Sequence, residues 1–312
     1  MPEETPSRSN YRRLFYGWNV RPDRTEDWYN ERREDADDLA RFEKEYPATA
    51  DEALAPPRTL VFFRPETLLA MRQDIKSPVK TLPAGAGFYA NIYQDFQIGN
   101  KYAAGTDTSH GVGQDFSVTG IINTETGYVV ADLMSQLLEP DQLAIASMDL
   151  LEYYRNPIWG IEDNEWGIQT LKVAIESNYP RIYTRDDGNQ GWHTADTRQR
   201  TGSRFVLWGD LSAACNSRYL TVPNEEGLSQ FYSVIRNPEK HGRIEAQHGA
   251  HDDYPMAIGI ALQISNRAQR ARVPGRRRDS EERRLGIDGE DLIGRNDLVG
   301  IRGAERRNPY GW

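Results

Sequence analysis

One cysteine, Cys215, in 312 residues leaves the chain unable to build an internal disulfide framework or a thiolate zinc site. Cys215 is expected to be a small core or surface residue. Long apolar runs are also missing. None approaches the roughly 18–20 residues that cross a bilayer, and the start, Met1-Pro2-Glu3-Glu4-Thr5, lacks the basic-then-apolar order of a secretory signal. A soluble, non-secreted protein with no membrane partner is expected. The five histidines (His110, His193, His241, His248 and His251) show no HExxH or paired spacing, which argues against zinc. No Walker-type phosphate loop occurs, so this chain by itself is not a P-loop ATPase. Counted with glycine and without tyrosine, apolar residues make up about 41%, below the usual 45–50% or so. Part of the chain should be unpacked.

The formal charge of -9 hides an asymmetry. Residues 267–312 hold twelve Arg, no Lys and eight acids, whereas the first 266 residues carry a net charge of -13. An acidic body with a basic tail does not grip nucleic acid mainly by neutralising phosphates, although an acidic site can meet phosphates through divalent metals.

Residues 1–58 are charged and aromatic. Their stripe of Trp28, Leu39, Phe42 and Tyr46 is too weak to form a core alone and should pack on something else. Thr49 and Glu52 could open a helix that Pro56-Pro57 stops. Residues 60–98 read as a connector with a short strand, Leu60 to Phe63, and a helix from Pro65 to about Asp74. Sheet logic starts at Lys101. Strands are expected over Tyr102 to Thr108, Phe116 to Ile122 and Thr126 to Met134, joined by short links as an antiparallel meander. A helix from Pro140 to about Tyr154, a strand from Pro157 to Ile161, a helix from Trp166 to Ser177 and a strand from Arg181 to Thr184 follow. This βββαβαβ order predicts an α/β, ribonuclease H-like mixed sheet flanked by helices. Two helices, Phe205 to Cys215 and Glu225 to Ile235, a loop over 237–250 and a helix from Tyr254 to about Ala268 complete the expected ribonuclease H-like domain, residues 59–268. Residues 269–312, including Arg276-Arg277-Arg278, are expected to be a basic, disordered tail.

Four acids fall where strands or helices end. Asp107 closes the first meander strand, Glu162 closes the fourth, and Asp252-Asp253 precede the last helix. In a mixed sheet the first and fourth strands are parallel neighbours, so Asp107 and Glu162 should emerge side by side. A helix packed across that edge would bring Asp252-Asp253 to the same point, with its N-terminal dipole favouring carboxylates. Hard oxygen ligands from three elements suit Mg²⁺ or Mn²⁺, and two such ions about 3.5–4 Å apart stabilise both oxygens of a phosphodiester displacement. Taken singly, Asp253 could equally be a helix cap, and Asp107 and Glu162 ordinary strand-end charges. His251 is either a support to the Asp pair or solvent-facing. Gly111-Val112-Gly113 reads as a hairpin turn with Asp115 capping the backbone.

Four segments in register resemble the large terminase subunit of tailed phages, the motor that packages DNA into the capsid: Glu45-Tyr46-Pro47-Ala48-Thr49-Ala50-Asp51-Glu52-Ala53; Gly105-Thr106-Asp107 through Gly113-Gln114-Asp115-Phe116-Ser117; Ile161-Glu162-Asp163-Asn164-Glu165-Trp166-Gly167; and His251-Asp252-Asp253. Order and spacing agree over about residues 25–265. The resemblance implies a ribonuclease H-like, two-metal endonuclease that cuts concatemeric double-stranded DNA. Asp107 matches the first bridging acid, Glu162 the second and the Asp252-Asp253 pair the third, with Asp253 as direct ligand. It also implies a portal protein, a small terminase subunit and a separate ATPase chain as partners, and action in the bacterial cytoplasm, transiently at the procapsid portal. The family's ATPase half is not in this sequence, so residues 1–58 are expected to correspond to the segment that follows it. Two alternatives stay open: another ribonuclease H-like nuclease, such as a junction resolvase, and a non-catalytic packaging module whose tail docks on a portal or capsid protein.

Overall fold

In the computed structural model, residues 3–5, 13–37, 39–49, 53, 60–85, 87–113, 115–194 and 203–269 are described. They belong to the unit Met1–Arg272. The expected tail beyond residue 269, its arginine cluster, and most of the helix expected from Thr49 to Pro56 lie outside these residues. A short hairpin of β1 (Glu3–Thr5) and β2 (Arg13–Phe15) leads into α1 (Glu26–Glu34) and α2 (Leu39–Glu45). The sequence of α1 is well matched to its ends. Thr25 Oγ1 accepts from the Trp28 N–H at 3.2 Å, acids occupy the first turn and Arg32 and Arg33 the last, each complementing the helix dipole. The aromatic residues of this stretch pack on one another: Trp18 on Tyr29 at 4.5 Å, Phe42 on Tyr46 at 4.9 Å, and the Arg24 guanidinium over Trp28.

A six-stranded sheet follows: β3 (Lys80–Pro83), β4 (Tyr89–Ile92), β5 (Tyr102–Asp107), β6 (Ser117–Asn123), β7 (Tyr128–Ser135) and β8 (Ile158–Ile161), in the order β3-β4-β7-β6-β5-β8. Only β8 is parallel to its neighbour, β5; the other pairs are antiparallel. This is the mixed, ribonuclease H-like arrangement anticipated from the meander and crossover. β6 is buried along its whole length, with Ser117, Thr119 and Asn123 among its buried residues.

Three local expectations are corrected. The 60–98 connector holds α3 (Pro65–Met71), where a helix was expected, and contributes β3 and β4 to the sheet, while its expected strand at Leu60 to Phe63 makes one bridge, Val61 to Ile235. The expected strand at Arg181 to Thr184 touches β8 through a single parallel bridge, Trp159 to Ile182. There the chain reverses in a turn set by Gly188 (φ 86°) and by Asp187 Oδ1, which accepts from the Asn189 N–H at 2.9 Å. The expected 237–250 loop is instead a hairpin of β9 (Val234–Asn237) and β10 (Arg243–Ala246). His241 and Gly242, both at positive φ, close it.

Helices cover both faces of the sheet. On one, α4 (Pro140–Tyr153) buries Leu143, Leu150 and Leu151 against Ile121, Val130 and Trp159, next to α5 (Gly167–Glu176). On the other lie α6 (Ser203–Asn216), α7 (Glu225–Ser233) and α8 (Asp253–Gln263). Cys215 is fully buried in this second core, and burial pushes its thiol up to about 12. α8 is apolar almost all round and lies directly on β5 and β6, where burying Met256, Ile258 and Ile260 contributes about 1.5–3 kcal/mol each. The close approach depends on Gly105. A Cβ there would sit 2.0 Å from the Ala257 carbonyl oxygen and 2.6 Å from the Ala261 nitrogen. The same contact fixes the N-terminus of α8 over the C-terminal end of β5.

Candidate metal centre

The parallel register pairs Gly105 with Gly160 and Thr106 with Ile161, so Asp107 and Glu162 leave adjacent strands together. The Glu162 N–H donates to the Thr106 carbonyl at 3.0 Å, extending the pairing to the site itself. Asn164 then ties the two carboxylates: its Nδ2 donates to Glu162 Oε2 at 2.7 Å and to Asp107 Oδ1 at 3.4 Å, while its Oδ1 accepts from the Gly167 N–H at 2.7 Å.

Asp252 and Asp253 arrive on α8. Asp252 holds the N-cap position without a side-chain cap bond, because its carboxylate accepts from the Ala246 N–H at 3.2 Å and faces Arg204 at 3.5 Å. Asp253, in the first turn, accepts from the Phe116 N–H at 3.1 Å. All four acids line one cleft of about 430 Å³, together with Asp115 and with Arg204, the one Lys or Arg among its described lining residues.

So much negative charge in a poorly solvated cleft costs free energy unless a cation enters or protons are taken up. Burial, followed by repulsion from Glu162 and Asp253, raises the Asp107 carboxyl well above the usual carboxylate range. Asp253 is pushed up to about 7, chiefly by burial, against the Phe116 N–H that favours its charged form. Asp252 is raised by burial and partly held back by Arg204. Hard, uncompensated oxygen donors from β5, the end of β8 and α8 are the donor chemistry of a divalent-cation site.

Two residues extend the set. Donor atoms of Asp115, His251 and Asp253 lie within 4.8 Å of one another, with His251 Nδ1 3.3 Å from Asp115 Oδ1 and 3.7 Å from Asp253 Oδ2. This nitrogen is buried and makes no hydrogen bond. Asp115 is not the backbone cap expected of it: its carbonyl oxygen accepts from Ser109 Oγ at 2.9 Å, and its carboxylate is turned toward His251. The only sequence signal for either residue was proximity, Asp115 just before β6 and His251 just before the Asp pair.

Sequence reasoning also passed over Asp132, which is fully buried on β7. It accepts from Asn91 Nδ2 at 2.9 Å, Asn224 Nδ2 at 2.9 Å and the Tyr254 hydroxyl at 2.8 Å. Tyr254 follows Asp253, and its N–H donates to Gln230 Oε1 at 2.7 Å. This network holds the first turn of α8 from below.

No family model and no curated protein sequence matches the chain. Among solved structures it is similar to the large terminase nuclease of thermophilic phage G20c, at 13% identity and a TM-score of 0.48 over 63% of this chain and 97% of that one. The magnesium-bound form of that nuclease gives 14% identity and a TM-score of 0.49 over 63% and 96%. The large terminase nuclease domain of Thermus phage P74-26 gives 16% identity and a TM-score of 0.46 over 64% and 95%.

Proposed function

We propose that this chain is a divalent-metal-dependent DNA endonuclease, the nuclease part of a phage packaging terminase, cutting concatemeric double-stranded DNA with Mg²⁺ or Mn²⁺. The observation that carries the proposal is the convergence of Asp107, Glu162, Asp252 and Asp253 on one cleft where their charge is not neutralised. Residues 59–268 would be the nuclease domain.

Asp107, Glu162 and Asp253 would hold the metal, with Asp115 and His251 sharing Asp253 on its far side. Two bound ions would supply an activated water and charge stabilisation at the leaving oxygen. The chain's own residues set the stage: Asn164 fixes both strand-end carboxylates, the Phe116 N–H orients Asp253, and Arg204 holds Asp252. No protein nucleophile is needed. Double-stranded DNA would be the substrate, and a portal protein, a small terminase subunit and a separate ATPase chain the partners, at the procapsid portal in the host cytoplasm. Among the described residues no helix is long and apolar enough to cross a membrane.

The test is cleavage of supercoiled plasmid by the purified chain with Mn²⁺, Mg²⁺ or EDTA. Metal-dependent nicking that disappears in Asp107→Ala and Glu162→Ala, with folding intact, is expected. Cutting retained in either variant would reject the assigned roles.

A further inference from the structure

At the mouth of the acid cleft, His110 lies flat on Trp166, with ring centroids 3.8 Å apart and planes 9° from parallel. Both line the cleft that holds Asp107 and Glu162. His110 is exposed and Trp166 partly buried. With one imidazole face covered by the indole, the exposed area of His110 lies on its outer face and edge.

The segment that carries His110 is built to hold it still. The Ser109 N–H donates to Ser117 Oγ at 3.0 Å, and the Gly113 N–H donates to the Gln136 carbonyl at 2.8 Å. Gly111, at φ 76°, runs so close to the next loop that a Cβ would meet the Leu138 carbonyl oxygen at 2.6 Å. Trp166 stands at the N-terminus of α5, two residues after Asn164, the residue that clamps Asp107 and Glu162. The stacked rings are therefore anchored on the same loops that carry and clamp the acids.

We propose that the His110–Trp166 stack is a platform for one unpaired nucleobase of DNA next to the acid cleft. This rests on the cleft being the DNA site proposed above, and adds to it a preference for DNA that is locally unpaired. Every base has a π-face, so stacking is tolerant of sequence. Stacking also needs no positive charge. That suits a cleft whose described lining contains one arginine and five acids, where phosphate contacts supply little attraction.

The experiment compares two fluorescein-labelled duplexes of the same length, one fully paired and one with a short mismatched bubble. Binding is followed by anisotropy with Ca²⁺ present, and cleavage is followed separately with Mn²⁺. The wild-type chain should bind the bubble at least about fivefold more tightly than the paired duplex. His110→Ala should bind both duplexes equally, and His110→Phe should keep the preference because it restores a flat ring. Wild type without a preference, or His110→Ala that retains it, overturns the platform. Bubble-selective binding with no cleavage of any DNA would reject the nuclease proposal and leave the platform standing. Equal binding and cutting of both duplexes would do the reverse, and failure to bind either would reject both.

Discussion

Asp253 couples the fold to pH. Its carboxyl is raised to about 7 in the folded chain, so the folded state holds the proton more tightly than the unfolded state, where an Asp titrates near its ordinary value of about 3.9. A raised value stabilises the fold at low pH, and that stabilisation is lost as pH rises through about 7. With EDTA present, the thermal midpoint should therefore be lower at pH 8 than at pH 5.5. Mg²⁺ should restore it at pH 8 and have much less effect at pH 5.5; calorimetry under the four conditions checks this. Asn164→Ala tests the clamp on Asp107 and Glu162. Cleavage or metal affinity should fall by about 10–100-fold, the scale for residues that support metal ligands, with a modest fall in thermal midpoint because Asn164 also accepts from the Gly167 N–H at the start of α5. The four acids were legible because each sits at the end of a strand or the start of a helix. Asn164 and Asp115 were not, and His251 was left open between support and solvent, since their contacts depend on loop geometry that no spacing encodes. Asp132 was hidden for another reason: a lone acid within an apolar strand does not reveal that two asparagines and a tyrosine from distant segments converge on it.

Among the elements, α8 has a strict requirement, because its backbone passes where a side chain of β5 would otherwise project. Gly105→Ala should push Ala257 outward and destabilise the chain by about 1–3 kcal/mol, as overpacking does. It should also weaken metal binding more than an equally destabilising substitution on α4, since it shifts Asp253. Urea midpoints and Mn²⁺ titrations of the two variants separate these effects. Strands β5 to β8 and helices α4 to α8 were readable from apolar periodicity and from the Pro at the start of α4. The four-residue strands β3, β4, β9 and β10 were not. Their residues are largely exposed or mixed in burial, and pairing in short local hairpins, with β4 also joined to β7, makes them strands. Arg181 to Thr184 erred the other way: its residues suit a strand, but after one bridge the chain makes the turn at Gly188 and rejoins the end of β8 only at Trp192, which bridges Glu162.

For the molecule as a whole, every described element of the sheet and cleft lies within Met1–Arg272. Removing Val273–Trp312 should leave the thermal midpoint and metal-dependent cleavage unchanged. If those residues dock on a portal protein, only portal binding should be lost. The long reach of the cleft's contacts has a consequence in time. Phe116 and Asp253, joined by a hydrogen bond, are 137 positions apart in the chain, and loops of that span close late because their entropy must be overcome before any contact rewards it. During synthesis from the N-terminus, Asp107 and Glu162 emerge well before α8 exists. A nascent or partly folded chain thus carries half a cleft, and the four acids come together only once α8 has been made.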